Sequence, residues 1–131
     1  GEKQRVLLAR VLMQESAFIV LDEPTAMLDP SGRKEVIRAV RALNLAEGIT
    51  IILITHYMEE IIDADRVFVM DKGKIALQGT PREVFGQVDR LKELRLDVPQ
   101  VTLLAHELRE SGLPIPEGIL RTEELIRALG L

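Results

Sequence analysis

There is no cysteine in these 131 residues. Disulfides and thiolate metal sites are therefore excluded, in keeping with a reducing compartment. An excess of basic charge is missing too: 17 Lys and Arg against 21 Asp and Glu leave a net charge of −4. That balance gives no electrostatic footprint for nucleic acid or an anionic membrane. No apolar run approaches the roughly 20 residues a membrane-spanning helix needs, so any membrane association is expected through a protein partner. A Gly-x-x-x-x-Gly-Lys-Ser/Thr loop, which cradles phosphates at the start of a helix, does not occur. The chain lacks an initiator Met and opens in mid-pattern at Gly1-Glu2-Lys3-Gln4-Arg5, as expected of the carboxyl-terminal piece of a longer protein.

What is present suits a globular domain or part of one: 47% of the residues are hydrophobic and 29% charged. The organising stretch is Phe18-Ile19-Val20-Leu21-Asp22-Glu23-Pro24-Thr25. Its four apolar residues predict a strand buried on both faces of a parallel sheet. The run stops at two adjacent carboxylates. Burying such a pair costs several kcal/mol per group unless something compensates, and the carboxyl edge of an open α/β sheet is where ligands bind. A cation or a proton-transfer task would account for the pair; Asp22 capping a turn is the simpler alternative.

Upstream, residues 2–14 predict a helix with Leu8, Val11, Leu12 and Glu15 on one face and Leu7 adjoining. Gly1 stands at its start, where unpaired N–H groups and the helix dipole favour an anion. Downstream, Asp29 followed by Pro30 reads as an N-cap and first helical residue. The helix should run from Pro30 to about Glu47, burying Val36, Ile37, Val40 and Leu43–Leu45, and end at Gly48. Ile49-Thr50-Ile51-Ile52-Leu53-Ile54-Thr55 predicts a second buried parallel strand, completing a right-handed crossover. His56 follows directly, at the same sheet edge as Asp22 and Glu23. Tyr57–Asp63 reads as an amphipathic helix with Met58, Ile61 and Ile62 inward and Glu59 and Glu60 solvated.

Arg66–Met70 and Lys74–Gln78 flank a turn at Asp71-Lys72-Gly73 and predict a β-hairpin. Thr80-Pro81-Arg82-Glu83 carries an N-cap, an N1 proline and a capping-box acid, so another helix begins there. No chemistry is assigned to this hairpin and helix. From about Gln87 the pattern changes to two or three short helices with apolar faces at Leu91, Leu94 and Leu96; Val101, Leu104, Ala105 and Leu108; and Leu125, Ile126 and Leu129. Thr122 is expected to cap the last of them, and His106 to be structural. Helices this short need something to pack against.

Phe18–Glu23 resembles the Walker B motif of P-loop nucleotidases. Gly1-Glu2-Lys3-Gln4-Arg5 resembles the tail of the ABC ATPase signature, with Glu2 where many members have Gln; Leu28-Asp29 matches the D-loop, and His56 the switch histidine. Their order and spacing are those of ABC ATPases. The later Val98-Pro99-Gln100-Val101-Thr102 and Leu113-Pro114-Ile115-Pro116 resemble the ATPases of energy-coupling-factor (ECF) transporters, importers of vitamins and of cobalt or nickel ions. The resemblance implies an α/β fold: the carboxyl-terminal part of a P-loop NTPase sheet over 1–86, then a helical domain over 87–131 that contacts a second ATPase subunit. It implies ATP and Mg²⁺, with Asp22 holding the metal, Glu23 and His56 catalytic, and Gly1 and Asp29 at the nucleotide. The implied partners are a second ATPase subunit, a transmembrane coupling subunit and a substrate-binding membrane subunit, with no nucleic acid, at the cytoplasmic face of the membrane. Without the phosphate loop these residues should be inactive alone. A soluble ABC ATPase unconnected with transport and a simple dimerisation module are the alternatives.

Overall fold

A computed structural model of the chain describes residues 18–131. Gly1 and the helix expected over 2–14 lie outside the described residues. The fold is α/β, as expected, and divides into two compact units at Glu60/Ile61. This packing division falls earlier than the 86/87 boundary drawn from the motifs.

In the first unit, β1 (Phe18–Asp22) pairs in parallel with β2 (Thr50–Ile54), with Ile19 opposite Ile51 and Asp22 opposite Ile54. Helix α1 (Pro30–Glu47) makes the crossover. It starts where expected because Pro30 lacks the N–H that a first-turn residue leaves unpaired, and because Asp29 Oδ1 accepts from the Gly32 N–H at 2.7 Å. It ends at Gly48, whose φ of 65° suits a residue without Cβ and lets its N–H reach the Asn44 carbonyl. Val36 and Val40 of α1 pack on Ile19 and Leu21, with Leu28, Ile49, Ile51 and Leu53 around them.

Two expectations fail here. β1 is not buried on both faces: it alternates, with Ile19 and Leu21 inside and Phe18 and Val20 about half exposed. β2 alternates likewise, with Ile52 and Ile54 outward. The core packed against these strands draws on α1 for its helical side chains, and the inward residues of each strand take the period-2 positions. Leu45, expected on the buried side of α1, is exposed, since it sits off the stripe of Val36 and Val40.

The second unit opens with the hairpin β3 (Val67–Asp71) and β4 (Lys74–Gly79), antiparallel. Lys72 and Gly73 both take positive φ, 51° and 76°, as a two-residue primed turn requires. A register shift after Val69 accommodates one extra residue on β4. Helix α3 (Pro81–Phe85) is capped by Thr80, whose hydroxyl accepts from the Glu83 N–H and contacts its carboxylate. Val84 and Phe85, with Val88 and Leu91 of α4 (Val88–Glu93), are each at most 2% exposed. A second cluster joins Ala105 of α5 (Gln100–Glu110), Ile115, Ile119 and Leu125 of α6 (Thr122–Ala128).

The short helices keep only part of their expected apolar faces inside: Leu104, Ile126 and Leu129 are exposed. Thr122 is the first residue of α6 rather than its cap; Arg121 holds the cap position and makes no side-chain capping bond. His106 is structural in its contacts, accepting at Nδ1 from Arg109 (3.1 Å) and facing Asp89 from Nε2 (3.4 Å). Arg82 binds the Glu124 carboxylate and the Gly118 carbonyl. The Arg82 hydrogen bond holds the Glu124 carboxyl below the usual carboxylate range, against the opposing effect of burial.

Two outcomes follow for stability. Phe85→Ala should destabilise the second unit by about 3–5 kcal/mol, whereas Phe68→Ala, at a half-exposed site, should cost well under 1 kcal/mol; thermal unfolding of both variants checks the contrast. A carboxyl whose folded-state pKa is depressed stabilises the fold above its unfolded-state pKa and stops doing so as pH falls through the depressed value. Glu124→Gln should therefore lower the melting temperature at pH 7, and the gap from the parent chain should close as the pH drops below the carboxylate range.

Candidate functional site

The parallel register sets the site. Beyond Asp22 the ladder makes one more bond: the Glu23 N–H donates to the Ile54 carbonyl at 2.8 Å. This holds Glu23 next to the exit of β2, and the chain must turn at once. Glu23 takes φ of 46°, a left-handed conformation uncommon for a side-chain-bearing residue and held against a cost of order 1 kcal/mol or more. Turns closed by Ala26 N–H to Glu23 C=O and Leu28 N–H to Thr25 C=O carry the chain to Asp29. On the other strand, the Thr55 hydroxyl accepts from the Tyr57 N–H at 3.0 Å and fixes the turn that presents His56.

Glu23 and His56 meet: Nδ1 of the imidazole lies 2.7 Å from Oε1 of the carboxylate. A carboxylate can only accept, so Nδ1 carries the hydrogen and donates. Nε2 of His56 and Oε2 of Glu23 are left for other partners. The three edge residues expected from sequence thus share one rim, with Asp22 in register opposite Ile54 and Glu23 in contact with His56. Asp29 stands apart from this pair, as the α1 cap. Gly1, placed at the nucleotide by sequence, lies outside the described residues.

The electrostatics differ from the expectation. Asp22 is exposed, and the Glu23 and His56 side chains are 47% and 63% exposed. Both acids are open to solvent in this chain. Among the described residues no group of three or more His, Cys, Asp and Glu gathers to hold a metal. One free carboxylate at a strand end nevertheless fits Mg²⁺, a hard cation that keeps waters and takes one or two carboxylates together with substrate phosphates. Asp22 offers that oxygen set, while Glu23 is engaged by His56.

Two features escaped sequence reading. Glu60, expected on a solvated face, is 6% exposed in α2 (Met58–Ile61) and accepts from the Thr25 hydroxyl, itself 1% exposed. This bond joins the turn after Glu23 to the helix after His56. No local pattern pairs residues 35 apart in sequence; the available hint was a hydroxyl placed in a tight turn after proline. Arg33, in the first turn of α1, lies over the Tyr57 ring, and no local pattern in the sequence pairs the two.

No protein-family model matches the chain. Curated relatives do. The chain is 60% identical over 126 residues, 96% of its length, to energy-coupling factor transporter ATP-binding protein EcfA1 of Caldanaerobacter subterraneus, covering 46% of that relative. It is 57% identical over 129 residues to EcfA1 of Clostridium novyi, covering 98% of itself and 46% of the relative. Against EcfA2 of Caldanaerobacter subterraneus the identity is 46% over 125 residues, or 95% of this chain and 44% of that protein. The chain therefore spans about half the length of the curated relatives it matches. Among solved structures it resembles cbiO1 from Clostridium perfringens, part of the ABC transporter complex cbiONQ, with a TM-score of 0.61 and 39% identity over 80% of this chain and 42% of that one.

Thr25→Val should leave the buried Glu60 carboxylate without its donor and destabilise the chain by about 1–3 kcal/mol. Replacing both partners, as Thr25→Val with Glu60→Leu, should recover part of that loss. Thermal unfolding of the two single variants and the double variant measures the coupling.

Proposed function

This chain belongs to the family of ABC transporter ATP-binding proteins, and from that premise we propose that it supplies the acid-and-histidine half of an ATP-hydrolysing site in an ECF-type importer. The observation that carries this reading is the 2.7 Å contact between His56 Nδ1 and Glu23 Oε1 at the strand edge shared with Asp22. Fold alone would not carry it, since α/β sheets host many activities.

In this reading Glu23 is the general base. Its Oε2 takes a proton from water as the water oxygen bonds to the γ-phosphorus and the bond to the β-phosphate oxygen breaks. His56 orients that carboxylate through Nδ1. Nε2 faces the phosphate and can donate to it when both ring nitrogens are protonated. Asp22 would hold Mg²⁺, which would offset the negative charge of the phosphates. Gly1, in the signature-like segment outside the described residues, would meet the γ-phosphate held by a second ATPase subunit. Asp29 would face that subunit from its turn, its backbone fixed by the cap to Gly32.

We assign residues 1–86 to the ATPase domain and 87–131 to a helical domain that holds two ATPase subunits together. The exposed Leu104, Ile126 and Leu129 support that contact. No described helix is long and apolar enough to cross a membrane. In this reading transport is coupled through transmembrane partner subunits, with the chain on the cytoplasmic face. The solute class is cobalt or nickel ions or vitamins, chosen by another subunit.

The 131 residues contain no Gly-x-x-x-x-Gly-Lys-Ser/Thr loop, so ATP titrated into this chain alone should show negligible binding and no turnover. In a full-length ATPase containing these residues, Glu23→Gln should leave ATP binding nearly unchanged while lowering kcat by about 10²–10⁴-fold. Unchanged hydrolysis would remove Glu23 as the base.

A further inference from the structure

The His56 ring is exposed and, besides its bond to Glu23, packs on Tyr57: the two ring centroids lie 4.4 Å apart, tilted by 32°. An exposed imidazole with a single hydrogen bond can rotate away from its acceptor. Tyr57 limits that rotation only if it is itself held. Its backbone is held by the Thr55 hydroxyl. Its ring is held by Arg33, whose guanidinium carbon stands 4.4 Å from the ring centroid, within cation–π range.

Arg33 has two further contacts. Nη1 donates to the Leu28 carbonyl at 3.4 Å, immediately before Asp29. Nη2 lies 3.7 Å from the Glu59 carboxylate. The Arg33 side chain is 19% exposed against 64% for Glu59, so the ion pair is the weak member of the set. Packing over Tyr57 and the bond to Leu28 define the Arg33 rotamer. A planar guanidinium does both at once, stacking by its face and donating from its edge.

We propose that Arg33 is a positioning residue for the His56–Glu23 pair, acting through the Tyr57 ring and tying it to the turn that ends at Asp29. The turns leaving β1 and β2 are then joined by side chains as well as by the strand ladder. Displacement of the 26–29 turn shifts Arg33, releases Tyr57 and lets His56 leave Glu23. The catalytic meaning of this link rests on the ATPase reading above; the geometry does not.

The two histidines of the chain make the test direct. With ¹⁵N-labelled histidine in the 131-residue chain, ring-nitrogen spectra taken where the imidazoles are neutral should find His56 protonated at Nδ1. Arg33→Ala and Tyr57→Leu should each lose that tautomer as the major species, while His106, held by Arg109 and Asp89, keeps its signals. Tyr57→Phe retains the ring and should restore the parent His56 spectrum. Unchanged His56 signals in Arg33→Ala or in Tyr57→Leu, or a Tyr57→Phe chain that behaves like Tyr57→Leu, would overturn the proposal. Should Arg33→Ala unfold the first unit, as collapse of its amide signals would show, Arg33→Lys decides, since it keeps the charge without the planar face: a parent-like His56 spectrum there would overturn the proposal. No nucleotide enters the measurement, so a failed ATPase assignment leaves this result standing, and a failed positioning result leaves the Glu23→Gln outcome standing.

Discussion

The parallel pairing of β1 with β2, continued by the bond from the Glu23 N–H to the Ile54 carbonyl, is the constraint on which the rest of the site depends. A parallel pair sends both strands out of the sheet at the same edge, and its register decides which residues leave together. A slip by one residue would turn Ile19 and Leu21 outward. It would also move Glu23 away from the exit of β2. The hydrophobic pattern that buries Ile19 and Leu21 against Val36 and Val40 therefore also aims the acids. Core and chemistry are fixed by one choice of register.

Around that ladder the site is held by contacts between residues far apart in sequence and close at the edge. Thr25 to Glu60, Glu23 to His56, and Arg33 to Tyr57 each join the turn after β1, or the start of α1, to the segment after β2. Their partners differ in exposure. Thr25 and Glu60 are buried, so their bond is shielded from competing water and strongly felt if one partner is removed. The Glu23–His56 pair is open to solvent, where water competes for both groups. A buried bond fixes the backbone, and an exposed one remains free for a ligand.

Much of this was legible in the sequence, for physical reasons that can be named. α1 was read to its last residue because Asp29-Pro30 and Gly48 are start and stop signals with stereochemical causes. The hairpin turn and the Thr80 cap followed from positive φ and side-chain capping, which are equally local. The meeting of His56 with Glu23 followed from topology, since both stand at strand ends in one crossover. The burial of β1 and β2 on both faces was misread. A continuous apolar run says that a strand can be covered twice, and says nothing about whether the covering elements are there. Glu60 was misread because charge patterning assigns glutamates to solvent by default; its burial depends on Thr25 arriving from another segment. Arg33 and Tyr57 meet for the same non-local reason.

The exposure of the acid edge bears on how such a site could work. A unit-charge pair about 4 Å apart interacts by ~1 kcal/mol in bulk water and by ~4 kcal/mol at the effective dielectric of a partly covered protein site. With Glu23 and His56 both wet, their contact can orient a carboxylate but does little to stabilise charge developing on a phosphate. Covering the edge would change that several-fold without moving an atom of the pair. A second ATPase subunit closing over bound nucleotide, as proposed, would exclude water at the moment when Glu23 must take a proton and His56 must face new negative charge. An open edge in the separate chain is what such a proposed closure would require: the ladder sets the geometry beforehand, and the proposed partner would supply the lower dielectric.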